Sequence, residues 1–149
     1  MADQKTCDRC DQAGAFTTAV SIAIAGGAVP GQAIAHTAQA DACASCRPAV
    51  SGILHAHALA MLAEQIPFHK AIADKNAELS TAQADFEALR PTLEAHDTDG
   101  TELPAELAAQ RDEILGRMEA AESGRLEAVQ QGTAVSDQRQ ATLPELLRA

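Results

Sequence analysis

Residues 41–50, DACASCRPAV, decide how the first part of this chain folds. Cys43 and Cys46 lie three positions apart, and Cys7 and Cys10 repeat that spacing, so the four cysteines form two C-x2-C pairs with 32 residues between them. Two thiolates at this spacing can hold one ion from a tight turn, and two such turns complete a tetrahedral four-sulfur shell. The sequence therefore predicts that these four cysteines bind one structural zinc ion.

The residues around the cysteines favour the metal site over its alternatives. A zinc ion with four thiolates carries a net charge of about −2, and Arg9 lies inside the first pair while Arg47 follows the second. Pro48 suits the first turn of a helix, whose positive dipole end would then point at the sulfur atoms. A thioredoxin-like redox site is the first alternative. Such a site needs only one cysteine pair, and it lies in a βαβ pattern, which is missing here. Unligated or disulfide-bonded cysteines remain the other alternative.

A β-hairpin is predicted between the two pairs. Val20, Ile22 and Ile24 alternate with smaller residues, which is the period of a half-buried strand. The second strand is predicted over QAIAHTAQA, residues 32–40. A phosphate-binding loop is the alternative use of this glycine-rich stretch, but no Lys-Ser/Thr pair and no helix follow it. The predicted turn between the strands contains Gly26, Gly27, Pro30 and Gly31.

The motifs CDRC and CASC, the latter followed by RPAVSGILHAH, resemble the treble-clef, four-cysteine zinc-finger superfamily. The resemblance covers residues 5 to about 65 and lies in the order of knuckle, hairpin, second cysteine pair and helix. It implies the zinc ligands and the fold of this part. It implies no single function, because treble clefs serve in nucleic-acid binding, protein docking and structure alike.

The helix that closes this module is predicted over Ser51–Gln65. His55 and His57 suggest a second metal site, but positions two apart on a helix point about 200° away from each other. We therefore interpret both as surface or packing histidines. The same interpretation applies to three isolated histidines, His36, His69 and His96.

A long antiparallel helical hairpin is predicted over residues 67–131, with its tip near 97–103. Gly100 supplies the turn, Pro104 suits a helix start, and Pro91 is expected to kink the first arm. Apolar residues repeat every seven positions along the first arm, and a looser stripe follows the second arm. The first seam comprises Ile72, Leu79, Phe86 and Leu93, with Ala82 and Leu89 between them, and the second stripe comprises Leu107, Ile114, Met118, Ala121, Leu126 and Val129.

The tip and the tail each leave two interpretations open. Residues 95–106 place Asp97, Asp99, Gly100 and Glu106 as in a calcium-binding EF-hand loop, but Ala95 replaces the first ligand and an acidic Glu102 takes an apolar position, so a capped acidic turn is favoured. Residues 132–149 are predicted to be a polar tail with a short amphipathic end. The leucines of that end can dock on this chain or on a partner: Leu143, Leu146 and Leu147.

Composition and charge restrict the function. Hydrophobic residues make up 46% of the chain but aromatics only 2%, so large core side chains are scarce. A small domain of this kind is expected to need a bound metal ion or disulfide bonds for stability. Residues 71–131 carry 14 acidic and 5 basic side chains, a net of −9, whereas the rest carries 7 and 6. This charge speaks against direct nucleic-acid binding, which needs clustered Lys and Arg. No stretch approaches the roughly 18 to 20 apolar residues of a membrane span, and the first residues lack the apolar core of a signal peptide.

The sequence therefore predicts an α+β, mostly α fold: a zinc-stapled β-hairpin module over 1–66, the helical hairpin over 67–131 and the tail over 132–149. No nucleophile with a nearby base occurs in a recognisable motif, so we expect no enzyme. We expect a cytoplasmic interaction or assembly protein that contacts a protein partner or self-associates. The alternative is a transcription or nucleic-acid-associated regulator acting through protein contacts. The chain loosely resembles the secondary-channel regulators of bacterial RNA polymerase, in which the coiled coil precedes the zinc cysteines.

Overall fold

A computed structural model describes residues 4–14, 16–29 and 32–149 of the chain. A two-stranded antiparallel sheet precedes two long helices, which confirms the predicted α+β, mostly α fold. The strands are β1 (Thr18–Val29) and β2 (Gln32–Ala42), and the helices are α1 (Arg47–Asp99) and α2 (Ala105–Arg148). None of the helices in the described ranges contains a stretch long and apolar enough to cross a membrane.

The chain divides into two compact units. The first unit contains residues up to His69 and those from Gln131 onward, and the second contains Lys70–Gln130. Helices α1 and α2 each contribute residues to both units, so each unit has its own helix pair.

The predicted hairpin is present in the first unit. Thr18 pairs with Ala42, and the regular register continues to Gly26, which pairs with Ile34. The register shifts between Gly26 and Val29. Gly27 lies in this irregular part, where a Cβ atom would overlap the carbonyl oxygen of Gln32, so glycine is needed for this close approach. Four residues were predicted to form the turn. Gly26 and Gly27 lie within β1 instead, and Pro30 and Gly31 lie outside the described residues.

Small residues form much of the core of the first unit. Alternate residues of β2 point inward, and the three that are buried are alanines, which let the helices approach the sheet closely. Val20, Ile22 and Ile24 of β1 pack at the margin of this core and are half-buried. The buried cluster comprises Ala38, Ala40, Ala42, Val50, Leu54, Ala58, Leu143 and Leu147.

Helix α1 begins earlier and ends later than the sequence predicted. It starts at Arg47, where the expectation was Ser51, and it continues through Pro67 and Pro91. Each proline removes one intrahelical hydrogen bond, a local cost that the packing of a long helix can offset. The predicted end of the module helix at Gln65 is therefore absent.

Helix α2 continues through Gly132 and Pro144, where the sequence predicted a polar tail. Gln65 Nε2 donates a buried hydrogen bond of 3.0 Å to the carbonyl oxygen of Gly132, and a Cβ atom on this glycine would lie 3.1 Å from Phe68 Cβ. The glycine thus permits a close approach of two helices within the first unit. The last turns of α2 dock on their own chain, because Leu143 and Leu147 are buried while Leu146 is exposed.

The second unit is a helical hairpin with a seam of small and large apolar residues. Four seam residues predicted on α1 are half-buried, and the two intermediate ones, Ala82 and Leu89, are buried. On α2 the prediction was wrong at its end: Leu126 and Val129 are exposed, and Ala128 is buried instead. The buried positions of α2 in this unit follow a strict seven-residue spacing, Ile114, Ala121 and Ala128.

The turn of the second unit is built around Gly100, as the sequence predicted. Gly100 has a φ of 65°, its N–H donates to Asp97 O, and the N–H of Thr101 donates to His96 O. These two bonds form a Schellman motif, which satisfies the last carbonyls of α1. Pro104 then provides the carbonyl that accepts the first hydrogen bond of α2, from the N–H of Ala108.

Candidate metal centre

The first cysteine pair lies in a tight knuckle. Thr6 and Ala13 form an isolated bridge, the N–H of Cys7 donates to Gln12 O at 2.9 Å, and the N–H of Asp11 donates to Cys7 O at 2.9 Å. Asp11 has a φ of 59°, a left-handed conformation that aspartate tolerates better than most residues. These bonds fold the chain back on itself, so that Cys7 and Cys10 face the same space.

The second cysteine pair lies at the start of α1. The N–H groups of Cys46 and Arg47 both donate to Cys43 O, at 3.2 and 3.0 Å. The N–H of Val50 donates to Cys46 O at 2.9 Å, which is the first helical hydrogen bond. Cys46 therefore occupies the N-cap position, where the positive end of the helix dipole stabilises a thiolate.

The knuckle is attached to strand β2 beside the second pair. The N–H of Asp8 donates to Asp41 O at 2.8 Å, and the N–H of Asp41 donates to Asp8 Oδ2 at 2.7 Å. Lys5 Nζ adds an ion pair of 3.2 Å to Asp41 Oδ1. Strand β2 thus places both cysteine pairs at one end of the hairpin.

The four sulfur atoms converge as the sequence predicted. The Sγ atoms of Cys7, Cys10, Cys43 and Cys46 all lie within 4.8 Å of one another. Cys10 Sγ and Cys43 Sγ are 3.8 Å apart, too far for a disulfide bond. A tetrahedral site with metal–sulfur bonds of about 2.3 Å has sulfur–sulfur edges of about 3.8 Å. The four cysteines therefore form a site that could hold a metal ion.

The crowding of the thiols perturbs their ionisation. Ser45 Oγ lies 3.3 Å from Cys43 Sγ, and this contact, with the backbone N–H of Cys46, lowers the pKa of Cys43 to about 6. The neighbouring Cys43 and Cys10 raise the pKa of Cys46 to about 12. The Cys43 thiolate therefore forms easily, and its negative charge opposes the ionisation of Cys46. A divalent cation would offset this repulsion by supplying positive charge.

The four ligand side chains differ in exposure. Cys7 is completely buried, Cys43 and Cys46 are half-buried, and Cys10 is exposed. The exposure of Cys10 places the site at the surface of the first unit.

The two arginines beside the cysteines make different contacts from those expected. Arg9 Nη1 donates to Leu147 O near the end of α2 at 3.3 Å. Arg47 Nη2 donates to Thr18 Oγ1 at 2.8 Å and to Phe16 O at 3.5 Å. Both guanidinium groups thus attach neighbouring segments to the two cysteine turns. No sequence signal indicates that Arg9 reaches the last turn of α2, because Arg9 and Leu147 are 138 positions apart.

The histidines do not join the cysteine cluster. His55 is exposed and His57 is buried, which agrees with their interpretation as surface and packing residues on different faces of α1. Neither ring nitrogen of His57 has a hydrogen-bond partner, and the same holds for Nε2 of His36. His96 instead contacts the hydroxyl of Thr101 at the turn, at 2.8 Å.

The carboxylates of residues 95–106, the loop that resembles an EF-hand, do not lie together as metal ligands. Among the residues that the structure describes, the four cysteines are the group of three or more potential ligands that could hold a metal ion. Asp97, Asp99 and Glu106 are exposed and form no such group. This placement agrees with the interpretation of the tip as a capped acidic turn.

No protein-family model matches the chain, and comparison with curated proteins and with solved structures gives no match either. The residues of the site and their geometry are therefore the observations that bear on function.

Proposed function

We propose that this chain is a non-enzymatic zinc-binding interaction protein. In this proposal Cys7, Cys10, Cys43 and Cys46 hold one structural zinc ion, and the acidic helical hairpin of the second unit contacts a protein partner. The observation that carries the proposal is the convergence of four sulfur atoms within 4.8 Å. Zinc is the metal proposed because a closed tetrahedral shell of four thiolates is typical of its structural sites, and a single iron ion is the competing occupant.

A structural role follows from the number of ligands. Catalytic zinc sites have three protein ligands and leave the fourth position for water or substrate, whereas four cysteines fill every position. The bound ion would join the knuckle to the start of α1, two segments that are 32 residues apart in sequence. The order of knuckle, hairpin, second cysteine pair and helix supports the treble-clef assignment of this module.

The charge of the second unit supports a protein partner. Every Lys and Arg of this unit forms an ion pair within the unit. No basic residue other than His96 occurs between Pro91 and Gln110, a stretch with five carboxylates. These side chains repel phosphate and complement a basic protein surface: Glu94, Asp97, Asp99, Glu102 and Glu106.

The metal is tested by native mass spectrometry of the purified protein. We expect one zinc ion per chain in the intact protein and none after Cys43→Ser. The matched control is Ser45→Ala, which removes the hydroxyl beside Cys43 Sγ but no ligand, and which should retain the ion. A metal-free intact protein, or one containing iron, contradicts the zinc assignment.

The partner is tested with the immobilised, metal-loaded protein. We expect salt-sensitive partners that are lost from a variant carrying Asp97→Asn, Asp99→Asn and Glu102→Gln. The control carries Glu78→Gln, Glu87→Gln and Glu122→Gln, which removes three carboxylates that are already paired on their own helices. Identical partners for both variants contradict a docking role of the tip.

A further inference from the structure

Strand β1 has an edge that no other strand covers in the described part of the chain. The sheet contains two strands, and β1 pairs with β2 on one side only. The edge of β2 differs at one end, where the knuckle binds both backbone groups of Asp41. A long edge strand of 12 residues without such cover is a template for pairing with another strand.

The inward side chains of β1 remain incompletely buried. Val20, Ile22 and Ile24 contact the core of the first unit but are half-buried, whereas Ala38 and Ala40, which pair with Ile22 and Val20, are buried. The larger apolar residues thus lie on the outer strand, where one neighbour is missing. Another strand at this edge would remove them from water.

Strand β1 carries none of the charges that usually protect an edge strand. No Asp, Glu, Lys or Arg occurs from Gln12 to Ala40, although the chain as a whole has a net charge of −10. Natural proteins place lysines or inward-pointing charges on exposed edges to prevent pairing. Phe16, two residues before β1, adds an apolar side chain that is 80% exposed.

We propose that the edge of β1 pairs with the same edge of a second copy of this chain, giving an antiparallel four-stranded sheet across a twofold axis. The absence of charge selects this occupant, because a charged strand would have to desolvate its charges against a neutral edge, whereas a second β1 brings none. A twofold interface also requires a patch that complements itself. The inference rests on the proposed function and adds to it: the hairpin joined by the four cysteines self-associates, while the acidic second unit contacts the protein partner.

The sequence of β1 fits one register of this pairing. With Ile22 opposite its own copy, Val20 lies opposite Ile24, and all three stay on the face that already packs against the core. On the exposed face the same register places Ser21 opposite Ala23, so two small residues meet. This pairing uses residues 18–26 and stops before the irregular part of the hairpin.

The area available sets the strength of the dimer. Nine residues span about 30 Å, and a strip about 10 Å wide buries about 600 Å² over both copies. This area does not include the isoleucine side chains. It is smaller than the roughly 1,200–2,000 Å² of stable interfaces. The dimer is therefore reversible, and its population depends on protein concentration.

Two lysines on the exposed face of β1 test the pairing in the metal-loaded, full-length protein. In Ser21→Lys with Ala23→Lys, like charges lie directly opposite each other twice across the twofold axis, so the dimer should weaken about ten-fold. The same variant changes the net charge from −10 to −8, which by itself would reduce the repulsion between copies. Ser21→Lys with Ala23→Glu places opposite charges across the axis and should dimerise within about three-fold of the unmodified protein.

The control carries Ala35→Lys and Thr37→Lys, which adds the same charge to the same exposed face of β2. These lysines lie one strand farther from the axis, and the two copies are separated by about three strand spacings, or roughly 14 Å, where salt screens them. This variant should dimerise like the unmodified protein. Sedimentation velocity over a range of concentrations measures all four proteins.

A folded protein that stays monomeric at the highest concentration overturns the inference, as does a dimer that the β1 lysines do not weaken or that the β2 lysines weaken equally. Native mass spectrometry of the same samples reports the zinc content, so a failed metal assignment is distinguished from a failed interface. Hydrogen exchange provides a readout without substitutions: the outward amides of residues 18–26 should gain protection as concentration rises.

Discussion

The two units of this chain are closed by different means. The first unit buries four alanines together with Val50, Leu54 and two leucines of α2, and it brings four thiols together at one end. The second unit consists of two helical segments, and the buried positions of its α2 segment repeat every seven residues. No group of potential metal ligands occurs in this unit, all of whose residues the structure describes. A two-stranded hairpin is marginal by itself in water, whereas an antiparallel helix pair makes all its backbone hydrogen bonds locally. The comparison explains why the cysteines occur in only one unit.

Removal of the metal should separate the two units most clearly. Structural zinc sites contribute about 10–16 kcal/mol of apparent binding free energy, which equals or exceeds the stability of a typical domain. After chelation we expect residues 18–42 and the first turns of α1 to lose hydrogen-exchange protection, while residues 79–93 and 107–121 retain it. Exchange followed by mass spectrometry, with and without added zinc, measures this difference. Simultaneous loss of protection in both units would show that the second unit depends on the first.

The core of the first unit provides the next largest effect. Leu54 is completely buried in the main cluster, so Leu54→Ala should cost about 2–5 kcal/mol of unfolding free energy. The matched control is Leu59→Ala on the same helix, whose side chain is 52% exposed and which should cost less than about 1 kcal/mol. Denaturant unfolding of the metal-loaded protein measures both. Equal costs would show that Leu54 does not belong to the core.

Two helical glycines of α2 give a smaller contrast between the units. In the first unit, a Cβ atom on Gly132 would lie 3.1 Å from Phe68 Cβ, so Gly132→Ala should cost about 1 kcal/mol through overpacking. In the second unit, Gly116 has no atom within 4 Å of such a Cβ, so Gly116→Ala should stabilise by about 0.4–1 kcal/mol. Thermal unfolding with metal bound reports the opposite signs. Stabilisation by Gly132→Ala would mean that α1 and α2 are less closely packed at this point.

These glycines also show where sequence reasoning succeeded and where it failed. The cysteine spacing predicted the convergence of the four sulfur atoms, the alternation of Val20, Ile22 and Ile24 predicted β1, and Gly100 predicted the turn, because each signal is local. The helical hairpin was predicted to end at residue 131, whereas α2 continues through Gly132. The role of Gly132 depends on Phe68, which lies 64 positions away in sequence and could not be inferred from neighbouring residues.

The end of the second stripe was mispredicted for a related reason. Leu126 and Val129 were chosen because they are large and apolar, but the seven-residue repeat from Ile114 leads to Ala121 and Ala128. Strict spacing was therefore a better guide than side-chain size in this alanine-rich chain. The contact between Arg9 and the end of α2 had no sequence signal at all, since a guanidinium group can donate to any nearby carbonyl.

The smallest predicted effect concerns an ion pair in the first unit. Arg139 donates two hydrogen bonds to Glu64, one of them from Nε to Oε2 at 2.6 Å, and this contact holds the pKa of Glu64 below its ordinary value of 4.5. The side chains are 28% and 36% exposed, so the coupling should be about 0.5–1 kcal/mol, near the upper end for surface pairs because two bonds form. A lowered pKa means that this stabilisation is fully present above the unfolded pKa of Glu64 and is lost as the pH falls through the folded pKa.

A double-mutant cycle with Glu64→Gln and Arg139→Gln measures this coupling in the metal-loaded protein. We expect the same coupling energy at about pH 7 and about pH 5.5, because both values lie above the ordinary and the lowered pKa of Glu64. The control cycle uses Lys70 and Asp74, an exposed pair in the second unit, for which the coupling should be close to zero. A coupling that declines between the two pH values would show that Arg139 does not lower the pKa of Glu64. Equal coupling in both cycles would show that the pair in the first unit gains nothing from its lower exposure and second hydrogen bond.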